Sequence, residues 1–146
     1  MMQLQTQLQD ELAARKIILN PSQPVGDYAI HLACAAFDLQ REPPATSGYD
    51  ASDSEGLRYQ VKFRRLAHAQ DTRQLNAIKG IEQRKFDFLI GVLFNADMSI
   101  FRAVMMSFEV AASKVDKEKI LLLSNKVLDA EGVFDVSDKF KAAQQL

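Results

Sequence analysis

Apolar and polar positions change period several times along the chain, and each change marks an element. Leu4, Leu8, Leu12 and Ile17 recur at helical spacing, which predicts a helix over 3–18. The stretch Asn20-Pro21-Ser22-Gln23-Pro24 stops it, because each proline disfavours helix in the residue before it. Tyr28, Leu32, Ala35, Ala36 and Leu39 then form an apolar stripe, predicting a second helix over 25–39. Arg41-Glu42-Pro43-Pro44 reads as a loop or a short edge strand.

From residue 49 the period shortens to two. Tyr49 to Asp53 reads as a short strand, Ser54-Glu55-Gly56 as a turn, and Leu57 to Leu66 as a longer strand. In the longer strand Leu57, Tyr59, Val61 and Phe63 fall on one face, with Arg58, Gln60, Lys62 and Arg64 on the other. The two strands predict a β-hairpin. Residues 71–83 read as a short helix with Leu75, Ile78 and Ile81 inward. Phe86 to Phe94 is nearly continuous in apolar residues, as in a central strand covered on both faces. Ser99 to Met106 returns as a strand, 108–115 as a helix and Ile120 to Leu123 as a short strand. Ser137 to Leu146 reads as a helix with Ser137 as its N-cap. The pattern predicts a mixed α/β domain with a sheet of about four to six strands.

A chain of 146 residues suits a single domain, here read as 1–146. A content of 47% hydrophobic and 25% charged residues is ordinary for a soluble globular protein. The lone Cys34 excludes an internal disulfide and reads as a small buried hydrophobe on the second helix. Residues 1–10 carry no apolar signal region, and no apolar run approaches the roughly 20 residues of a spanning helix. No membrane association and a cytoplasmic location are therefore expected.

The net charge of −1 conceals an asymmetry. Residues 58–85 hold eight basic side chains against Asp71 and Glu82, a local net of +6. Such a segment suits an anionic partner such as a phosphate backbone, or else a solvated basic face. His31 and His68 show no metal-ligand spacing with Cys34, and neither a glycine-rich phosphate loop nor a serine nucleophile elbow is present.

The chemistry-bearing stretch is Gly48 to Lys62. Gln60 and Lys62, two apart on a strand, share a face, and hairpin pairing brings Asp50 toward it. Two oxygen donors and an ammonium would then converge. Hard oxygens hold Mg²⁺, and a neighbouring lysine can orient a water and stabilise transition-state charge.

Asp50, nine intervening residues, then Gln60-x-Lys62 resembles the active-site motif of the PD-(D/E)xK, restriction-endonuclease-like superfamily. The Tyr49-Asp50-Ala51 and Tyr59-Gln60-Val61-Lys62 segments are similar to those of a group of small bacterial proteins. The resemblance covers roughly 25–106 and implies an α-β-β-β-α-β core with a mixed central sheet flanked by helices. The helix over 3–18 and residues 108–146 would be additions to it. It implies a metal-dependent DNA endonuclease using Mg²⁺ or Mn²⁺, with Asp50, Gln60 and Lys62 as catalytic residues. Asp50, Gln60 and the Val61 carbonyl would bind the metal.

Gly26-Asp27 is similar to the Gly-Glu that opens the first core helix of resolvase-like members, which makes Asp27 a further metal candidate. A helix-start acid favoured by the dipole is the other reading of Asp27. Arg64, Arg65, Arg73 and Gln74 are the expected nucleic-acid contacts. Cutting two strands would suit a homodimer. Tyr49 replaces the proline of the motif, and Gln60 replaces its usual Asp or Glu. An amide oxygen is a weaker Mg²⁺ ligand than a carboxylate. The same fold kept as an inactive module for DNA or a protein partner is therefore the alternative.

Overall fold

The computed structural model describes residues 24–43, 48–68, 72–75, 77–78 and 81–145. The helix expected over 3–18 lies outside them. Helix α1 spans Pro24–Phe37, strand β1 Gln40–Arg41, β2 Ala51–Ser52, β3 Arg58–Leu66, β4 Phe88–Asn95 and β5 Ile100–Ser107. Helix α2 (Phe108–Lys114), the short α3 (Asn125–Leu128), strand β6 (Val133–Asp135) and helix α4 (Ser137–Gln144) follow. The six strands form one mixed sheet in chain order. Neighbours are antiparallel except β3 and β4, which run parallel from Tyr59↔Phe88 to Leu66↔Asn95. A parallel pair needs a crossover, and residues 67–87 supply it.

The predicted alternation of β3 divides two cores. Tyr59 and Val61 pack with Ala29, Leu32 and Ala33 of α1 and with Phe140 and Ala143 of α4. On the other face Leu89 and Leu93 of β4 pack with Leu75, Ile78, Ile81, Leu121, Leu123 and Ala111 of α2. The uninterrupted apolar run of β4 follows from this, since both of its faces are covered. The α1 stripe departs slightly from expectation: Leu32 is buried and Ala35 is exposed, and the fully buried alanines are Ala29 and Ala33.

Three expectations need correction. The described parts of 71–83 are not helical. Leu75, Ile78 and Ile81 are buried as expected, but Leu75 N–H donates to Leu121 O at 2.9 Å and Ile78 N–H to Lys119 O at 2.9 Å. These amides bond to a distant segment instead of completing a helical turn, and Gln74 bridges Leu122. Ile120 to Leu123 accordingly joins this segment rather than the main sheet. Ser137 is not an N-cap. It is the first residue of α4, its N–H donates to Asp135 Oδ1 at 2.8 Å, and its hydroxyl accepts from Ala103 N–H at 2.9 Å.

Candidate functional site

Arrangement of the site begins with how briefly β2 pairs with β3. Only Ala51↔Tyr59 and Ser52↔Arg58 are in register, after which Asp50 N–H donates to Tyr59 O at 2.8 Å. The strands then part. Gly48, at φ +89°, turns the chain in a conformation that a side chain would strain. Parting would leave the Val61 N–H of β3 without a strand partner. Asp50 Oδ2 accepts from it at 2.7 Å, so the carboxylate takes the place of the missing strand. Gln60, only 4% exposed, donates from Nε2 to Gly48 O at 2.7 Å. Asp50, Gln60 and Val61 are therefore held together in the opening.

Lys62 projects from the face that carries Gln60, and Gly91 stands beside it on β4. Gly91 presents no side chain to Lys62. A Cβ there would meet Leu123 Cδ1 at 3.1 Å and Leu75 Cδ1 at 3.5 Å, so these leucines close over the strand next to the lysine. Burial pushes the Asp50 carboxyl above its ordinary range, against the opposing pull of Val61 N–H, Lys62 and Arg41. Positive charges of Lys62 and Arg41 thus both act on Asp50, and a bound cation would favour its charged form.

Asp27 lies in the first turn of α1 and is 4% exposed. Its carboxylate forms an ion pair with Arg41 of β1. The chain reaches this pairing by a tight return: Asp38, at φ +56°, ends the helix, and Leu39 N–H bonds back to Cys34 O at 3.0 Å. Cys34, beside this turn, has its thiol pushed up to about 11 by burial, with Arg41 lowering and Asp50 raising it. It is a protonated thiol at neutral pH, in keeping with its reading as a small hydrophobe.

The basic residues divide by their partners. Arg58 bonds Asp87 from its backbone N–H at 2.8 Å and its Nε at 3.3 Å, and Arg84 pairs with Glu109. Their charges are compensated. Arg64 donates to Gln74 O at 3.4 Å, and Arg65 donates twice to Ala96 O, at 3.0 and 2.6 Å. Arg73 donates to Asn125 Oδ1 at 2.7 Å and lies 5.0 Å over the Phe101 ring, which is 41% exposed. Among the described residues no salt bridge reaches Arg64, Arg65 or Arg73. Gln74 is exposed, on an extended segment and not on the expected helix. Sequence reasoning missed Arg41 and Gly91, whose roles appear only when β1 folds back on α1 and β4 registers with β3. Gly48 had a local signal, a glycine just before the strand.

The donor set suits Mg²⁺ or Mn²⁺ in kind: one carboxylate, an amide oxygen and a backbone carbonyl are all hard oxygens. Mg²⁺ commonly binds through one or two carboxylates and completes its shell with water and substrate phosphate. Among the described residues no group of three or more His, Cys, Asp or Glu is placed to hold a metal by itself. No helix among them is long and apolar enough to cross a membrane. No protein-family model matches the chain, and no curated protein matches it.

Proposed function

We propose that this protein is a metal-dependent DNA endonuclease of the PD-(D/E)xK type. The observation that carries the reading is the opening of the β2–β3 hairpin, where Asp50 caps Val61 N–H at 2.7 Å and Gln60 is anchored to Gly48. Chain order supports it. Helix α1 precedes β1, β2 and β3, and a crossover returns the chain to β4, parallel to β3. In the proposed role the Asp50 carboxylate, Gln60 Oε1 and the Val61 carbonyl would hold the ion. When bound, the metal neutralises phosphate charge and lowers the pKa of a water. Lys62 orients the attacking water and offsets charge on the phosphate oxygens. Arg64 and Arg73 grip the backbone on the same side of the sheet.

Purified protein is expected to cleave DNA with Mg²⁺ or Mn²⁺ and not with EDTA. Lys62→Ala should lower kcat about 10²–10³-fold, the usual loss for one transition-state contact, while leaving Mn²⁺ binding in place. Undiminished cleavage in Lys62→Ala would sink the assignment.

The second reading is an inactive module of the same fold that binds DNA or a protein partner. One observation favours it: Gln60 stands in place of a carboxylate, and Asp27 is committed to Arg41. DNA binding by a protein that cleaves nothing, unchanged in Asp50→Ala and Lys62→Ala, would establish that reading.

A further inference from the structure

Metal sites that take two ions need several carboxylates, and a second one, Asp27, is paired with Arg41 of the strand beside Asp50. Its surroundings point elsewhere. Asp27 is 4% exposed on α1, and a carboxylate so buried must be paired or lose its charge. Its ion-pair partner is Arg41, whose side chain is itself 20% exposed. Arg41 is held in place by the sheet: it is in register with Ala51, and the next residue, Glu42, donates its N–H to Asp50 O at 3.0 Å. The guanidinium is therefore carried on the strand next to Asp50, on the side of α1. Arginine stays protonated at any working pH, so this charge is permanent. Positive charge beside the carboxylates disfavours entry of a divalent cation between them.

We infer that Arg41 is a resident counter-ion that keeps Asp27 out of the metal's coordination shell, so that the site takes one divalent cation, at Asp50. This rests on the nuclease reading of Asp50. It assigns Asp27 a positioning role, contrary to the expectation that Asp27 is itself a ligand. Two consequences follow. Loss of the guanidinium should create a second acidic position at Asp27. Loss of both charges should leave the first ion undisturbed.

The test is Mn²⁺ binding, followed by titration calorimetry and by electron paramagnetic resonance of free Mn²⁺, on the full chain. Variants are Arg41→Gln, the double change Asp27→Asn with Arg41→Gln, and Asp50→Asn. Thermal melts confirm that each is folded, and the double variant keeps an amide pair where the ion pair stood. The wild type should bind one ion. Arg41→Gln should bind a second, or bind the first about tenfold more tightly, the scale of losing a neighbouring charged group. The double variant should return to one ion at wild-type affinity within about threefold, well under the 10-fold scale of a lost supporting group. If the double variant loses the first ion, Asp27 is a ligand and the inference is overturned. Arg41→Gln identical to wild type in number and affinity overturns it as well. Failure of the parent reading looks different: Mn²⁺ binding in every variant including Asp50→Asn, or in none, removes Asp50 as a ligand and the inference with it.

Discussion

Asp50 Oδ2 accepts the Val61 N–H at 2.7 Å, and this one bond does for β3 what a further residue of β2 would otherwise do. A carboxylate fixed in this way is oriented by the sheet itself, with no rotamer search. The cost is burial, which raises its pKa. Structure and chemistry meet at this position, and the first prediction concerns it.

Because the Asp50 carboxyl is raised above its ordinary 3.8, the folded protein binds that proton more tightly than the unfolded chain. The resulting stabilisation is complete below the unfolded value and is lost as pH rises through the folded one. Above the folded value the ionised carboxylate therefore weighs against the fold. Asp50→Asn keeps an acceptor for Val61 N–H and removes the charge. In EDTA at a pH above the folded value it should melt higher than wild type. The gap should close in acid, and Mg²⁺ should raise the Tm of the wild type alone. A variant less stable than wild type at both pH values would contradict this.

Gln60→Glu introduces the carboxylate usual in the motif that this stretch resembles. It also removes the Nε2 donor that reaches Gly48 O at 2.7 Å and sets an anion against a carbonyl. Without metal the variant should lose about 1–3 kcal/mol, the cost of leaving a buried polar group unpaired. With Mn²⁺ it should recover that stability and bind the ion more tightly than wild type. Urea unfolding with and without Mn²⁺ reads both effects, and a metal-independent loss would show that residue 60 has no role in coordination.

Gly48→Ala tests the turn that opens the hairpin. At φ +89° a Cβ is strained, and it would collide with the side chain of Lys85. A loss of about 1–3 kcal/mol is expected, on the scale of one strained backbone position. Cleavage should fall with it, since Gly48 O anchors Gln60. A fully stable Gly48→Ala would mean the turn can relax without moving the site.

If the protein binds DNA as proposed, the half-buried arginines Arg64, Arg65 and Arg73 should separate by function in salt titrations of that binding. Arg64→Ala and Arg73→Ala should each lower the slope of log affinity against log salt by about 1, as for loss of one phosphate contact. Arg65 is tied twice to Ala96 O, at the turn between β4 and β5. Arg65→Ala should leave the salt slope nearly unchanged and lower stability by about 1 kcal/mol. Fluorescence anisotropy and thermal melts distinguish the two behaviours. Equal slopes for all three variants would remove the basic face from the interface.

Much of this architecture is legible in the sequence, where neighbours along the chain decide it. Period-two alternation over 57–66 assigns Tyr59 and Val61 to one face and Gln60 and Lys62 to the other, because successive side chains on a strand must point in opposite directions. The hairpin follows from the short turn at 54–56, and the double-sided burial of β4 from its unbroken apolar run. Asp50, Gln60 and Lys62 could be singled out for the same reason. Tertiary structure alone decided the features whose partners lie far along the chain. Leu75 and Ile78 have the spacing of a helix, yet their amides bond to residues 119–121, and those bonds are invisible to any local pattern. Ser137 has the composition of a cap, yet it sits inside its helix and its hydroxyl meets β5. Asp27 has the position of a helix-start acid, and the ion-pair partner it meets, Arg41, arrives from the next strand. A buried charge takes whichever partner the fold brings to it, and only the folded chain determines which one that is.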